Sequence, residues 1–118
     1  MEKNIVKKDE AQWVKHPKLD GVYLKRYFVG ADNNNLFDNL LAKIEPGKGL
    51  PPHTHDNSIE TYYLIQGKGE CLSNGEWREV NVGDCCTTPM GNEHGFRNVG
   101  EEDCILFSTF TPAVPPAK

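Results

Sequence analysis

Three of the four histidines in this 118-residue chain fall in two short segments that are rich in glycine and proline. His53 and His55 are separated by one residue, so on an extended strand their side chains point to the same face. Two imidazoles on one face can share a cation, and histidine is the commonest metal ligand in proteins. The pair therefore identifies residues 53–55 as a candidate metal site.

Two further residues are candidates for the same site. Glu60 follows His55 after a short turn and begins an apolar run, so a hairpin here would return its carboxylate to the two imidazoles. His94 follows the turn at residues 89–91, at the start of another candidate strand, and can supply a third imidazole. Taken separately, each of these residues is more simply interpreted as a hydrogen-bonded core residue or a surface residue.

The elements that would position these residues are short β-strands. The apolar runs are rich in Val, Ile, Tyr, Phe and Thr and show no helical period beyond two turns. Asn74 and Gly75 mark a hairpin, because a type I′ turn needs positive φ at both central residues. Residues 45–52 contain several prolines and glycines and are predicted to form a loop. Eight strands are predicted, a number typical of a β-sandwich or a closed barrel: 22–29, 36–45, 61–66, 69–73, 77–80, 84–87, 93–97 and 103–110.

The two histidine segments resemble the two sequence motifs of the cupin superfamily. The first reads Gly47-x5-His53-x-His55-x4-Glu60-x6-Gly67, and the second reads Gly83-x5-Pro89-x-Gly91-x2-His94-x3-Asn98. All ten positions match in order and spacing. The probability that a given position carries the required residue type by composition alone is roughly one in twenty. The chain is therefore identified as a member of this superfamily, similar to its small single-domain members from bacteria and archaea.

The resemblance implies an all-β fold, the cupin double-stranded β-helix, which is a jelly-roll-like antiparallel barrel. It also implies that one divalent metal ion is bound by four inward-pointing side chains: His53, His55, Glu60 and His94. Three imidazoles and one carboxylate suit Fe, Mn, Ni, Co or Zn, and the ligand types do not select among these metals. Every ligand position of the family pattern is retained, so the chain is expected to bind its metal.

Strand alternation predicts which other side chains line the barrel. If the metal ligands point inward, residues of the same parity form a mostly apolar substrate pocket: Tyr62, Leu64, Gln66 and Phe96. Tyr62 is the candidate catalytic residue, as a proton donor, although a core tyrosine with a hydrogen-bonded hydroxyl is more common. Cys85 and Cys86 are adjacent on one strand, so one of them should line the barrel.

Size and composition predict one domain over residues 1–118. A net charge of −4 offers no basic surface for nucleic acid. The N-terminus lacks the apolar segment of a signal peptide and no window is long enough to span a membrane, so we expect a cytoplasmic protein without membrane contact. Residues 111–118 are expected to form an extended tail. The apolar strands within residues 1–35 exceed what a small barrel covers, which predicts a homodimer.

Two classes of function are compatible with these features. The first is a metal-dependent enzyme acting on a small oxygenated molecule such as a carboxylate, either as a dioxygenase or as a lyase, decarboxylase or isomerase. The second is a metal-containing cupin that binds or senses a small molecule without catalysis. A storage role is disfavoured, because cupins with that role tend to lack metal ligands. In both classes the expected partner is a small-molecule substrate or ligand, and the sequence leaves open whether the chain is an enzyme.

Overall fold

The computed structural model describes residues 3–114, so the end of the predicted tail, residues 115–118, lies outside the described residues. Two short 3₁₀ helices cover Lys8–Glu10 and Gly30–Asp32. Among residues 3–114 there is no helix of the length and hydropathy needed to cross a membrane. The remaining elements are ten strands: β1 (Val14–Lys15), β2 (Val22–Phe28), β3 (Asp38–Ile44), β4 (Gly49–His53), β5 (Ile59–Gln66), β6 (Gly69–Ser73), β7 (Glu76–Val80), β8 (Cys85–Thr88), β9 (His94–Asn98) and β10 (Cys104–Thr111).

The strands form two antiparallel sheets that pack face to face. The larger sheet has the order β1-β2-β3-β10-β5-β8, and the smaller has the order β4-β9-β6-β7. Side chains from both sheets form one core between them, of which the most completely buried are Val22, Ile44, Leu64, Phe96, Cys104 and Leu106. The predicted all-β antiparallel architecture is therefore confirmed.

Strand β5 shows how alternation directs side chains into the barrel. Glu60, Tyr62 and Leu64 are 7%, 5% and 0% exposed, whereas Tyr63 and Ile65 are each 45% exposed. Because successive side chains on a strand point to opposite faces, the apolar residues that must be buried also bring Glu60 inside. The carboxylate is thus held on the core face of the larger sheet.

Strand β4 corrects the prediction of a loop over residues 45–52. Gly49–His53 pairs with β9, although it contains Pro51 and Pro52. β4 is the edge strand of its sheet, and its register shifts between Leu50 and His53. Proline cannot donate to a ladder of hydrogen bonds and is tolerated at edges and bulges, which is where these two prolines lie.

The predicted hairpin between His55 and Glu60 is also wrong. β4 belongs to the smaller sheet and β5 to the larger one, so residues 54–58 carry the chain from one sheet to the other. In contrast, the predicted turn at Asn74 and Gly75 is confirmed, with φ of +51° and +79° between the paired strands β6 and β7. The candidate ligands are therefore brought together by the packing of two sheets and not by a local turn.

Candidate metal centre

The structure brings the four candidate ligands to one place. His53 ends β4, His55 lies in the crossing segment, Glu60 is in β5, and His94 begins β9. One ligand atom from each lies within 4.8 Å of the others. The ring centroid of His94 is 4.2 Å from that of His53 and 5.0 Å from that of His55. Glu60 Oε1 is 3.1 Å from His94 Nε2 and 3.9 Å from His55 Nε2. Three imidazoles and one carboxylate therefore surround one point.

Backbone pairing holds the segments that carry these side chains. His53 lies directly opposite His94 in the ladder between β4 and β9. The Gly91 N–H donates to the carbonyl of His55 at 3.0 Å, which joins the turn before His94 to the crossing segment. Gly91 has a φ of +77°, a conformation that a residue with a Cβ adopts only with strain. Gly91 of the second motif therefore shapes the site without being a ligand.

Asn98, the last residue of the second motif, has a structural role. It is 4% exposed, and its Nδ2 donates to the carbonyls of Ile44 at 2.9 Å and Glu102 at 2.8 Å. Its Oδ1 accepts a hydrogen bond from the N–H of Gly100 at 2.9 Å. The side chain thus ties the end of β9 to β3 and to the following turn, and it keeps the strand that carries His94 in place.

The hydrogen bonds of two histidines show that their Nε2 atoms are available to a metal. His53 Nδ1 lies 2.7 Å from the carbonyl oxygen of Pro51, and His94 Nδ1 lies 3.2 Å from that of Asn92. Because a carbonyl oxygen can only accept, the proton of each neutral ring is placed on Nδ1 and Nε2 presents a lone pair. Backbone carbonyls are common partners of metal-bound histidines and orient the ring in this way.

The contact between His94 and Glu60 also fits a bound cation. His94 Nε2 is buried without a well-directed hydrogen-bond partner and faces a carboxylate oxygen at 3.1 Å. Two acceptors at this distance repel each other unless a proton or a cation lies between them. The donor set and its geometry therefore fit a divalent ion such as Fe, Mn, Ni, Co or Zn.

The pKa values of His55 and His94 are shifted in opposite directions. Burial, the largest effect, lowers the pKa of His55 against the opposing charge of Glu60, and the neighbouring His53 and His94 lower it further. Burial also acts to lower the pKa of His94, but its close contact with the Glu60 carboxylate, its hydrogen bond to the carbonyl of Asn92 and the charge of Glu60 together raise it. His55 is therefore held in the neutral form that binds metals, while at His94 a proton and a metal ion compete for the same position.

Two adjoining cavities lie between β6 and β8, and one of them reaches the centre through His94. One has a volume of about 250 Å³, is lined by His94 and Glu93, and is otherwise formed largely by polar residues such as Ser73, Thr88 and Asn92. The other has a volume of about 320 Å³, and it shares four lining residues with the first: Leu72, Ser73, Thr87 and Thr88. The predicted mostly apolar lining is therefore not found in either cavity, whose walls are mixed.

Only one of the four residues predicted to line a substrate pocket, Tyr62, lines either cavity. Leu64 and Phe96 are 0% and 1% exposed and belong to the core cluster. Gln66 is half-buried, and its Nε2 donates to the carbonyl of Asp103 at 3.0 Å. The assignment of these residues to a substrate pocket stays a prediction, and the structure favours Tyr62 among them.

Several residues beside the centre were missed by sequence reasoning. Thr88 has the same parity as Cys86 on β8, so alternation alone could have placed it inside the barrel. Asn92 lies in the turn before β9, where no periodicity exists to indicate its direction, and Glu93, predicted to begin the strand, directly precedes β9. Their position in the cavity depends on how that turn folds back over the sheet.

Tyr62 lies beside two thiols. Cys71 and Cys86 line the same cavity as Tyr62, and burial raises the pKa of Tyr62, so the phenol stays protonated. Of the adjacent cysteines, Cys86 is the one inside the barrel, whereas Cys85 is exposed. The role of Tyr62 as a catalytic proton donor stays a prediction.

Comparison with known proteins relates this arrangement to a family. A sequence model of the cupin domain matches residues 40–110. An oxalate-binding protein from Thermotoga maritima is 34% identical over 61 residues, which are 52% of this chain and 50% of that protein. A 5-nitrosalicylic acid 1,2-dioxygenase from Bradyrhizobium is 31% identical over 64 residues, which are 54% of this chain and 30% of that protein. The chain thus matches half or less of the length of these two relatives.

A solved structure shows the same fold over nearly the whole chain. A protein from Thermotoga maritima, described as a predicted oxalate decarboxylase, superposes with a TM-score of 0.83 at 24% identity. The superposition covers 92% of this chain and 99% of that one. At this identity the likeness establishes the architecture of the two sheets.

Proposed function

Because this chain belongs to the cupin domain family, we propose that it is a metal-dependent enzyme acting on a small oxygenated molecule such as a carboxylate. The observation that carries this proposal is the convergence of four ligand atoms within 4.8 Å of one another. A metal with four protein ligands keeps one or two positions open if it is five- or six-coordinate. When bound, the ion would supply Lewis-acid polarisation of a substrate oxygen.

The residues of the chain itself would bind and orient the substrate. The cavity next to His94 offers the side chains of Ser73, Thr88 and Asn92 as hydrogen-bonding groups for ligand oxygens. Thr88 also donates to the carbonyl of Glu60 at 3.1 Å, which holds β8 against the strand that carries the carboxylate ligand. A volume of about 250 Å³ favours a compact substrate.

The named relatives support a carboxylate as the substrate class. One relative is called an oxalate-binding protein and another acts on 5-nitrosalicylic acid, so both names contain a small carboxylic acid. A dioxygenase reaction is suggested by the second name alone. Binding without turnover is the second candidate function, and it is favoured by the first name.

Substrate turnover distinguishes the two functions. The protein is loaded in turn with Fe(II), Mn(II) and Zn(II) and incubated with oxalate or salicylate, with and without dioxygen, while substrate loss is followed by chromatography. We expect loss of a carboxylate in at least one metal form, and no loss in the His94→Ala variant. His16→Ala is the matched control, because His16 lies outside the site and its Nδ1 accepts the N–H groups of Lys18 and Leu19. Calorimetric binding without loss of the carboxylate would support the second function. The absence of both binding and loss would contradict both functions.

We further propose that two copies of the chain associate through the outer face of the larger sheet. Large apolar side chains on this face are more than a third exposed: Trp13, Ile59, Tyr63, Ile65 and Phe107. Phe107 lies opposite Tyr63 on one side and Leu41 on the other, so the apolar surface continues across three strands. Lys25 and Lys43 hold their ammonium groups over aromatic rings at its border. A face of this kind is suited to a twofold contact with a second copy.

The Phe107→Arg variant is expected to be a monomer where the unchanged protein is a dimer. A pair of arginines would be buried without partners at the contact, which is strongly unfavourable. Sedimentation velocity at micromolar concentration measures the difference. Val99→Arg is the control, since Val99 is 46% exposed on the turn after β9, away from this face. If the unchanged protein sediments as a monomer, the proposed association is wrong.

A further inference from the structure

Two cysteines that are not metal ligands face each other across the barrel. Cys71 lies on β6 of the smaller sheet and Cys86 on β8 of the larger sheet. The Cys86 thiol donates to the Cys71 sulfur with an Sγ–Sγ distance of 3.7 Å. Both residues are free thiols and both line the cavity of about 320 Å³. A small solute that enters this cavity therefore reaches two adjacent sulfur atoms.

Neither of the other two cysteines combines these features. Cys85 also lines the cavity of about 320 Å³, but it is exposed. Cys104 is 0% exposed, and its thiol donates to the carbonyl of Lys68 at 3.4 Å. Within residues 3–114, neither Cys85 nor Cys104 forms a hydrogen bond with another thiol. Among residues 3–114, the sulfur–sulfur hydrogen bond therefore distinguishes Cys71 and Cys86 from the other cysteines.

We propose that Cys71 and Cys86 are a redox-active pair that hydrogen peroxide converts to a disulfide joining the two sheets beside the metal centre. In the first step one thiol sulfur attacks the peroxide, gains a hydroxyl group as a sulfenic acid, and one water molecule is released. In the second step the other sulfur displaces that hydroxyl, which leaves as a second water with the remaining thiol proton. The two thiols lose two electrons and one peroxide gains them.

The position of β8 allows the two sulfurs to approach. A disulfide requires a sulfur–sulfur distance of about 2 Å, so the side chains must move closer than they are in the dithiol form. β8 is one of the two edge strands of the larger sheet and, in the described part of the chain, pairs with β5 alone, which leaves its other side free to shift toward β6. The reaction is slow at neutral pH, because burial and the neighbouring Cys71 raise the pKa of Cys86 to about 12 and only the thiolate is nucleophilic.

The disulfide would restrain the open side of the barrel. β7 and β8 end their respective sheets and are not paired with each other within residues 3–114, so the cavity of the thiols opens between them. The cavity of the thiols shares Ser73 and Thr88 with the cavity beside His94. A bond from β6 to β8 therefore limits how far the walls of both cavities can separate.

Oxidation of the Cys85→Ser protein tests the pair without interference from the adjacent thiol. The zinc-loaded form is used, because zinc has no redox chemistry with peroxide. We expect the intact mass to fall by two hydrogen atoms and a non-reducing tryptic map to contain residues 69–78 joined to residues 79–97. We also expect the melting temperature to rise by roughly 10 °C and to return on reduction, as for a cross-link between residues 15 positions apart.

The Cys71→Ser and Cys86→Ser variants in the same background are expected to show neither the mass change nor the rise in melting temperature. The peptide map is obtained on protein that keeps both thiols, so its result does not depend on the folding of these variants. An unchanged mass, oxidation that stops at sulfinic acid, or a disulfide between two chains would overturn the proposal. The metal-free protein is expected to form the same disulfide, so failure here leaves the proposed function unaffected.

Discussion

Replacing His94 with alanine is expected to lower the affinity for a divalent metal by more than about 100-fold. Loss of a residue that only supports a metal ligand costs about 10- to 100-fold, and loss of a direct ligand exceeds this. His94 is 4% exposed, its ring is oriented by the carbonyl of Asn92, and its Nε2 faces Glu60. No other histidine of the chain can take its place, because His16 lies outside the cluster.

The affinity is measured by competition with a chromophoric zinc chelator, and the metal content by elemental analysis after dialysis. In the unchanged protein, zinc at about 1,000 times its Kd should stabilise the fold by about 4 kcal/mol, which appears as a higher melting temperature. The variant should lose this shift, whereas His16→Ala should keep it. Equal zinc content in the unchanged protein and the His94→Ala variant would remove His94 from the site.

Replacing Phe96 with alanine is expected to destabilise the protein by about 3–5 kcal/mol. Phe96 is 1% exposed and lies two residues after His94 on β9. Its ring packs edge-on against Tyr62 at a centroid distance of 6.1 Å, and the backbone of Gly69 packs directly on its other side. Deleting the ring leaves a cavity that this surrounding backbone cannot close by small side-chain movements.

Urea unfolding of the metal-free protein measures this loss as a lower midpoint with an unchanged slope. Phe96→Leu is the milder variant, expected to cost about 1 kcal/mol, and it provides a value if the alanine variant does not fold. Leu36→Ala is the control, because Leu36 is 65% exposed and its loss should change stability by less than about 0.5 kcal/mol. A cost at Phe96 no larger than that at Leu36 would contradict its place in the core.

Local periodicity explains why much of the architecture could be predicted from the sequence. The apolar run at residues 61–66 predicts a strand, and alternation places Tyr62 and Leu64 on the face of Glu60, which the family resemblance turns inward; β5 confirms both. Asn74 and Gly75 predict a turn of defined φ, because few residues tolerate that backbone conformation. These features depend on residues within a few positions of each other, so a single sequence contains the whole signal.

The strand β4 and the crossing that follows it could not be predicted in the same way. Pro51 and Pro52 favour a loop by their local preferences, and only pairing with β9 at a sheet edge makes the segment a strand. Likewise, a hairpin was the simplest local route from His55 to Glu60, but the two residues are held together by opposite sheets. The prediction of a single domain over residues 1–118 stays a prediction.

The sequence by itself determined that three histidines and one glutamate belong together, because their spacing and the surrounding glycines and prolines match one family pattern. The tertiary structure alone decided what surrounds them. The polar wall at Ser73 and Asn92, and the contact of Cys71 with Cys86 at 3.7 Å, arise where strands distant in sequence face each other. Strand alternation predicts which face of its sheet a side chain occupies. The side chain that it contacts on the facing sheet is set by the packing of the two sheets.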